Sequence, residues 1–371
     1  MLRGGVFWRE NDMASELSLR IGGVAVGGGA PVSIQSMTDT DTRDVRATVA
    51  QIRALHAAGC EIVRVAVPDM AAAEALGDIL AESPLPVVAD IHFDHFLALS
   101  AIDAGVHGVR INPGNIGGGD NVRAVAESAG SAGIPIRVGV NSGSLPKGLL
   151  DEKRSSTRSE EEALASAMVA AAEMELDALA EFGFRDAKVS LKASSVAATV
   201  AANRLFAERF PNPIHLGVTE AGLPERGVVK SAIGIGALLL DGIGDTIRVS
   251  LTADPVEEVA VARTILESVG ARKPRVEVVA CPTCGRREVD VAALAEKVER
   301  ALRDADSAGR LKPARVAVMG CPVNGPGEAK AADYGVAGAS EGEVVLFAKG
   351  VSLGVFPESE ALERLLDAMG R

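Results

Sequence analysis

The sequence predicts an α/β protein with two domains: an N-terminal (β/α)8 barrel of the TIM type, followed by a smaller α+β domain. One observation is a unit of apolar strand, loop and amphipathic helix that repeats eight times between about residues 30 and 270, as in such a barrel. Another is the length of 371 residues, which exceeds an ordinary single domain. The third is a change of pattern after a linker at 271–274. We therefore predict a leader and N-terminal extension over 1–28, the barrel over 29–270 and the α+β domain over 275–371.

Each predicted barrel strand is a short apolar segment, which is typical of a parallel strand buried on both faces. The strands are 32–35, 62–67, 87–91, 108–111, 136–140, 187–191, 214–218 and 246–251. Helical spacing of apolar residues separates them, as in Val45, Val49, Ile52 and Leu55. A doubly wound sheet is the weaker alternative, because no glycine-rich phosphate loop follows the first strand.

The connection over residues 141–159 does not fit this strand–loop–helix repeat, because it is long and polar. A long loop at the top of a barrel is usually functional or mobile, although a solvated surface excursion explains its distal half equally well. A long helix follows, with Ser159 before three glutamates at its start and Gly183 at its end.

The second domain begins with a strand that ends at Cys281, and a helix follows over 289–306. A second strand ends at Cys321. Further strands are predicted at 334–337, 344–348 and 351–355, with a last helix over 358–369.

The composition limits the partners and the compartment. A net charge of −12 disfavours nucleic acid as a partner. No apolar run approaches the roughly 20 residues of a membrane span, and residues 1–12 lack the apolar core of a secretory signal. We expect a short leader there, with Met13 as an alternative start. Four cysteines, three of them clustered, favour metal chemistry in a reducing cytoplasm over a disulfide framework.

Basic residues interrupt the apolar strands of the barrel. Arg110, Arg137, Lys192 and Arg248 lie in or just after strands, and Arg64 is a fifth candidate. A buried cation without a partner is strongly disfavoured, so several cations at one barrel mouth indicate a bound polyanion. The guanidinium fork matches phosphate oxygens, and a diphosphate suits this number of cations better than a monophosphate. The alternative is that each cation pairs with a nearby carboxylate or points outward.

Three residues at strand ends are candidates for acid–base chemistry: Asp90, His92 and Glu220. A lone histidine more often holds a loop by a hydrogen bond than acts in catalysis. Glu220, in a mouth rich in cations, is the stronger candidate for proton donation or for positioning a hydroxyl group.

The cysteines of the second domain predict a metal centre. Cys281 and Cys284 form a CxxC pair, and Cys321 follows a separate strand. Structural zinc normally has four Cys or His ligands, whereas no histidine follows His215. Three cysteines and one other ligand fit a [4Fe–4S] cluster with a distinct fourth iron. Glu328 is the nearest hard donor downstream, and a carboxylate is a more labile iron ligand than a thiolate.

Seven motifs carry a resemblance to a known family: CPTCGR, GCPVNGPGEA, ADIHFD, RINPGNIG, VGVNSGSL, HLGVTEAG and SLTADPVEE. They resemble the bacterial, two-domain 4-hydroxy-3-methylbut-2-enyl diphosphate synthases of the methylerythritol phosphate route to isoprenoids. The resemblance runs from about Val32 into the C-terminal region. It implies an iron–sulfur oxidoreductase that reductively opens 2-C-methyl-D-erythritol 2,4-cyclodiphosphate, with loss of water.

The resemblance also assigns roles to individual residues. It implies that Cys281, Cys284, Cys321 and Glu328 hold the [4Fe–4S] cluster. It places Arg110, Arg137, Lys192 and Arg248 on the diphosphate, with hydrogen bonds from Asn112, Asn141 and Ser250. Glu220 and the pair Asp90 and His92 would lie near the substrate hydroxyls, and Glu328 would share in catalysis as the labile ligand. It further implies ferredoxin or flavodoxin as electron donor and a homodimer in which one chain's cluster domain closes over the other chain's barrel.

Two alternatives stay open at this point. One is a barrel transferase or lyase that acts on a phosphorylated substrate and carries structural zinc in its second domain. The other is a non-catalytic zinc-knuckle scaffold, which the acidic charge and the polar barrel mouth disfavour.

Overall fold

The computed structural model describes residues 15–112, 114–274, 276–307, 312, 314–321, 331–340 and 342–370. The chain divides into two compact units, with the boundary between Arg272 and Lys273. This boundary falls inside the linker that the sequence predicts.

The first unit begins with an antiparallel hairpin that the sequence analysis did not predict, formed by β1 (Ser18–Ile21) and β2 (Val24–Gly27). Ile21 and Val26 of the hairpin pack against Ile62 and Val88, which lie near the amino ends of two barrel strands. The hairpin therefore covers the bottom of the barrel, opposite the end where barrel active sites lie.

Eight parallel strands form the barrel, as predicted. They are β3 (Ser33–Met37), β4 (Ile62–Ala66), β5 (Val87–Asp90), β6 (Gly108–Ile111), β7 (Ile136–Asn141), β8 (Ala187–Lys192), β9 (His215–Leu216) and β10 (Thr246–Ile247). Their order around the sheet is β8-β7-β6-β5-β4-β3-β10-β9, and a parallel bridge from Val189 to Ile214 closes the ring. The last two strands are shorter than predicted, so Arg248 lies just beyond the end of β10.

Helices surround the barrel and bury their apolar stripes against it. They are α1 (Val45–Ala58), α2 (Met70–Glu74), α3 (Leu76–Glu82), α4 (His95–Asp103), α5 (Gly119–Ala132), α6 (Leu149–Arg154), α7 (Glu160–Ala180), α8 (Val196–Ala207), α9 (Pro224–Leu240) and α10 (Pro255–Ser268). The long helix α7 begins as predicted, because the Ser159 side chain accepts a hydrogen bond from the Glu162 amide. The polar connection before it contains a 3₁₀ turn at Ser142–Ser144 and the short helix α6.

In the part of the second unit that the structure describes, a five-stranded sheet packs against two helices. Its strands are β11 (Val276–Ala280), β12 (Ala314–Met319), β13 (Tyr334–Ser340), β14 (Glu343–Ala348) and β15 (Val351–Pro357), in that order across the sheet. Its helices are α11 (Val291–Ser307) and α12 (Ala361–Ala368). Val316, Val318 and Val336 of the sheet share a core with Leu294 and Leu365 of the two helices. The predicted last helix is instead a 3₁₀ turn at Glu358–Glu360 followed by α12.

Across the described residues, no helix has the length and the apolar character needed to cross a membrane.

Candidate active site

Basic side chains gather inside the barrel, in its strands or just after them. Arg64, Arg110, Arg137 and Lys192 lie on β4, β6, β7 and β8 and expose between 4% and 9% of their surface. The Arg248 side chain, just beyond β10, is 20% exposed. Each of these cations interacts electrostatically with others of the group. The structure thus brings together all five basic residues that the sequence analysis selected.

Burial and mutual repulsion disfavour the charged forms of these groups. Burial, reinforced by Arg64 and Arg110, lowers the pKa of Arg137 well below its usual value. Burial, reinforced by Arg137 and Arg248, does the same to the pKa of Lys192. Burial lowers the pKa of Arg64 to about 10, although Asp90 opposes the shift. A bound anion would relieve this repulsion, which is why the arrangement favours anion binding.

Only some of the cations have a carboxylate partner. The Asp90 carboxylate lies 3.6 Å from Arg64 Nε and 3.3 Å from Arg110 Nη1. The Glu258 carboxylate lies 3.4 Å from Arg248 Nη2. Among the residues that the structure describes, Arg137 and Lys192 have no such partner, and Arg137 contacts only the His215 ring, at 3.4 Å. The excess of positive charge is therefore local to β7 and β8.

Several buried donors in this cluster have no hydrogen-bond partner among the described residues. They include the Nε–H groups of Arg110, Arg137 and Arg248. Buried polar groups are nearly always hydrogen-bonded, so unsatisfied donors in a polar cavity indicate a missing ligand. Three guanidinium donors together suit the oxygens of a phosphate or a diphosphate.

Two glycines leave room for the long cationic side chains. A Cβ atom at Gly139 on β7 would lie 2.7 Å from Arg110 Nε. One at Gly217 would lie 2.7 Å from Lys192 Nζ and 2.6 Å from the Arg248 carbonyl oxygen. The glycines within the motifs VGVNSGSL and HLGVTEAG thus let the cations cross the barrel interior without a steric clash.

The pair Asp90 and His92 lies at this cluster. His92 ring nitrogens lie 3.1 and 3.2 Å from Arg110 Nη1 and 3.6 Å from the Asp90 carboxylate. Burial by itself would raise the pKa of Asp90, but Arg64, His92 and Arg110 together hold it well below its usual range. Asp90 is therefore an ionised carboxylate that orients the two arginines. Its role as a proton donor, which the sequence analysis considered, is disfavoured by this charge state, while His92, with its side chain 56% exposed, is open to a ligand.

Glu220 lies apart from these contacts. It follows β9 in an exposed position with a backbone φ of 52°, a left-handed conformation that non-glycine residues rarely adopt. Its side chain makes no hydrogen bond or ion pair with the other described residues. This conformation makes Glu220 a candidate functional residue, and its role stays a prediction.

The three predicted hydrogen-bonding residues lie at strand ends of the same mouth. Asn112 directly follows β6 and is 7% exposed. Asn141 ends β7, and Ser250 lies two residues beyond Arg248, each half-buried. Their positions suit contacts to a ligand on the cations, and their roles stay predictions.

Glu258 and His215 touch the cations but were not among the predicted site residues. Glu258 is 3% exposed, and besides Arg248 it accepts hydrogen bonds from Ser36 Oγ and from the Leu251 amide. His215 lies fully buried below Arg137. Glu258 could have been found, because a glutamate on the buried stripe of α10 with Val259 and Ala262 needs a cationic partner. His215 gives no comparable signal, since a buried histidine in a strand is compatible with simple packing.

Glu175 on α7 gives a prediction about pH. Burial raises the pKa of Glu175 from 4.5 to about 8, with Arg110 opposing the shift, and its Oε2 atom has no partner among the described residues. The unfolded chain loses this proton near pH 4.5, whereas the folded chain keeps it up to about pH 8. The folded state is therefore destabilised as pH rises through this window. We expect Glu175→Gln to raise the free energy of unfolding by roughly 2–4 kcal/mol at pH 9 and by little below pH 4.5.

Urea denaturation at several pH values measures this difference. Glu181→Gln, which changes an exposed carboxylate at the end of the same helix, is the matched control and should show no such pH dependence. An equal gain from both variants, or a gain that is constant with pH, would contradict the explanation.

The three cysteines of the second unit line one cavity of about 120 Å³. Strands β11 and β12 are adjacent and parallel, with Ala280 opposite Val318, so the loops that follow them start side by side. This pairing brings Cys281 and Cys321 together. Gly320, which directly precedes Cys321, is 39 positions from Cys281 in the sequence. Cys284 is exposed, Cys281 is half-buried and Cys321 is buried.

The residues around this cavity fit an iron–sulfur cluster. The Gly320 amide donates a hydrogen bond to Cys281 Sγ at 3.2 Å, and hydrogen bonds to sulfur are a recurring feature of such sites. A Cβ atom at residue 320 would lie 3.6 Å from that sulfur and 2.8 Å from Val291, so a glycine keeps the cavity open. Within the described parts of the chain, no group of three or more His, Cys, Asp or Glu side chains is already close enough to hold a single metal ion. Glu328, the predicted fourth ligand, lies outside the described residues.

Comparison with known proteins identifies the family of this chain. The family model of the GcpE TIM-barrel domain matches residues 17–263, and that of the GcpE protein C-terminal domain matches residues 277–371. A protein of Thermodesulfovibrio yellowstonii named 4-hydroxy-3-methylbut-2-en-1-yl diphosphate synthase (flavodoxin) is 53% identical over 347 residues, 94% of this chain and 96% of the relative. A Geobacter sulfurreducens protein of the same name is 51% identical over 353 residues, 95% of this chain and 96% of the relative.

Among solved structures, dihydropteroate synthase from Yersinia pestis superposes with a TM-score of 0.49 at 12% identity, over 69% of this chain and 100% of that chain. A similarity this weak carries no conclusion. The two family models together span both units, and the named relatives share about half of their residues with nearly the whole chain. This chain belongs to the GcpE family.

Proposed function

We propose that this chain is a 4-hydroxy-3-methylbut-2-enyl diphosphate synthase, which converts 2-C-methyl-D-erythritol 2,4-cyclodiphosphate in isoprenoid precursor biosynthesis. In the reaction two electrons enter, the ring C–O bond to the diphosphate breaks, and a hydroxyl group leaves as water. The observation that carries the assignment is the group of buried cations whose Nε–H donors lack partners. Such a site matches the anionic part of this substrate and of its product.

The barrel cations anchor the diphosphate and stabilise the charge that develops on it as the C–O bond breaks. Arg110, Arg137 and Arg248 each offer an unsatisfied Nε–H donor, and Lys192 adds a compact charge without a carboxylate partner. Preorganised donors of this kind act strongly in a site from which water is excluded. Arg64 is already bound to Asp90 at 3.6 Å, so we assign it a supporting contact.

Residues around the anchor orient the rest of the substrate. We infer that Asn112, Asn141 and Ser250 donate hydrogen bonds to diphosphate oxygens. His92, whose side chain is 56% exposed, contacts a substrate hydroxyl while Asp90 fixes the neighbouring arginines. Glu220, exposed and conformationally strained, is the residue that we propose as proton donor for the departing hydroxyl.

We propose that Cys281, Cys284, Cys321 and Glu328 hold a [4Fe–4S] cluster. When bound, such a cluster supplies single electrons and a Lewis-acidic iron. The chain contributes three thiolates from two loops, a hydrogen bond to one sulfur, and a carboxylate that exchanges more readily than a thiolate. Support comes from the shared cavity of the cysteines and from the CxxC spacing.

The names of the relatives specify flavodoxin, which favours flavodoxin over ferredoxin as the electron donor of this chain. The homodimer and the cytoplasmic location also belong to this proposal. The use of three cysteines at one metal centre supports a reducing compartment.

Anaerobic purification followed by metal analysis and turnover tests this function. We expect a brown protein with about four irons per chain, as one cubane requires. With reduced flavodoxin it should consume the cyclic diphosphate and release 4-hydroxy-3-methylbut-2-enyl diphosphate. Colourless protein with stoichiometric zinc and no reductive turnover would instead support the transferase or lyase with a structural zinc domain.

A further inference from the structure

Two arginines stand at the rim of the cysteine cavity. Arg286 and Arg287 line it and are exposed to solvent. Among the residues described for the second unit, neither guanidinium forms an ion pair or a hydrogen bond. Cys284, in the same loop, is the most exposed of the three cysteines. The cavity therefore opens to solvent beside two uncompensated positive charges.

Three other arginines of this unit are paired instead. Arg303 pairs with Glu299 at 3.1 Å, Arg315 with Glu277 at 3.2 Å, and Arg364 with Glu360 at 3.0 Å. The whole chain carries a net charge of −12. Two adjacent free cations in one loop form a small positive patch at the rim of the cavity.

Among the described residues, the bonds that shape this loop come from its main chain. The Arg287 backbone amide bonds to the Cys284 carbonyl oxygen at 3.2 Å, and the Glu288 amide bonds to the Gly320 carbonyl oxygen at 2.8 Å. These main-chain bonds shape the loop without using either guanidinium. Glu288 is also exposed, but it does not line the cavity.

We propose that Arg286 and Arg287 form the docking surface for the electron donor, and that they receive an acidic face of reduced flavodoxin. The inference rests on the proposed function, which gives the chain a protein donor of electrons. At this surface the reduced flavin loses one electron and the centre held by the cysteines gains it, and no covalent bond forms. Charges at the rim of an interface act mainly on the association rate and on its salt dependence. The two arginines would steer the donor to the open side of the cavity.

The test uses Arg286→Gln, Arg287→Gln and the double variant, in anaerobically purified protein with its iron content verified. Arg300→Gln is the matched control, since Arg300 is exposed on α11 and lacks an ion-pair partner among the described residues. The readout is the Kd for flavodoxin by titration calorimetry at low and at moderate salt. We expect the double variant to bind roughly tenfold more weakly at low salt and to lose most of its salt dependence. Arg286→Lys and Arg287→Lys should retain binding, because they keep the charge.

Turnover with a small reductant, reduced methyl viologen, separates this role from a role in substrate binding. The double variant should keep its KM for the cyclic diphosphate under those conditions, while its kcat/KM for flavodoxin falls. An unchanged Kd for flavodoxin, or a loss equal to that of Arg300→Gln, would overturn the proposal, as would a raised KM for the cyclic diphosphate. If wild type fails to turn over with either reductant yet its flavodoxin binding depends on these arginines, the proposed function fails while the docking surface stands.

Discussion

Cys321→Ala should leave the protein without a stable cluster and without reductive activity. Cys321 is 7% exposed and follows β12, which pairs with β11, the strand before Cys281. Its thiol group is one of the three that line the cavity. Changes to groups that merely support metal ligands already cost about 10–100-fold. We therefore expect the loss of a ligand to lower turnover by more than about 100-fold. The iron content should fall below the amount that one cubane per chain requires. Iron analysis and electron paramagnetic resonance of the reduced protein measure the cluster directly.

Cys60→Ala is the matched control for this experiment. Cys60 is 2% exposed and lies before β4, with its sulfur 3.1 Å from the Ile62 carbonyl oxygen. Burial raises the pKa of its thiol to about 11, so it is a packed and unreactive thiol. This variant should keep its iron and lose only about 1 kcal/mol of stability. Equal iron in both variants would remove Cys321 from the ligand set. Glu328→Ala, which keeps all three thiolates, should give an intermediate result, with a cluster that forms but is lost quickly.

Arg137→Met should stabilise the substrate-free protein and almost abolish its activity. Arg137 is 4% exposed and lacks a carboxylate partner among the described residues, and burial with repulsion from Arg64 and Arg110 disfavours its charge. Replacement of an uncompensated buried cation by an apolar side chain of similar length should raise the free energy of unfolding by about 1–3 kcal/mol. The same change removes a guanidinium from the diphosphate, so kcat/KM should fall by roughly 1000-fold.

Thermal unfolding without substrate measures the expected gain in stability, and steady-state kinetics measure the expected loss of activity. Arg123→Met is the control, because Arg123 is 49% exposed and pairs with Asp120 on the surface, where an ion pair contributes at most about 1 kcal/mol. If Arg137→Met instead destabilises the substrate-free protein by several kcal/mol, Arg137 acts mainly as a structural partner of His215, 3.4 Å away. Its assignment to the diphosphate would then be wrong.

The barrel could be predicted because its signal is local and repeated. Each strand is an apolar segment with a helix of regular apolar spacing behind it, and the eight predicted strands are confirmed. The hairpin Ser18–Gly27 escaped prediction because two strands of four residues have no periodicity long enough to recognise. Its stability depends on Ile62 and Val88, which lie far away in the sequence.

The cations of the mouth could be selected because a basic residue inside an apolar strand is conspicuous. Their partners could not be, since pairing depends on which strands meet. Asp90 lies between Arg64 and Arg110 only because β5 pairs with both β4 and β6. Glu258 reaches Arg248 because α10 packs beside β3.

For the cysteines and cations together, the sequence by itself determined which residue types carry the chemistry: three cysteines with one CxxC spacing and five basic residues in strands or just after them. Side-chain chemistry and local periodicity are properties of short segments, so they can be recognised before the fold is known. Only the tertiary structure decided which charges stay unpaired, that Asp90 is held ionised, and that Cys281 and Cys321 share one cavity with two free arginines at its rim. Those outcomes depend on burial and on distances between segments far apart in the chain, which strand pairing and helix packing set together.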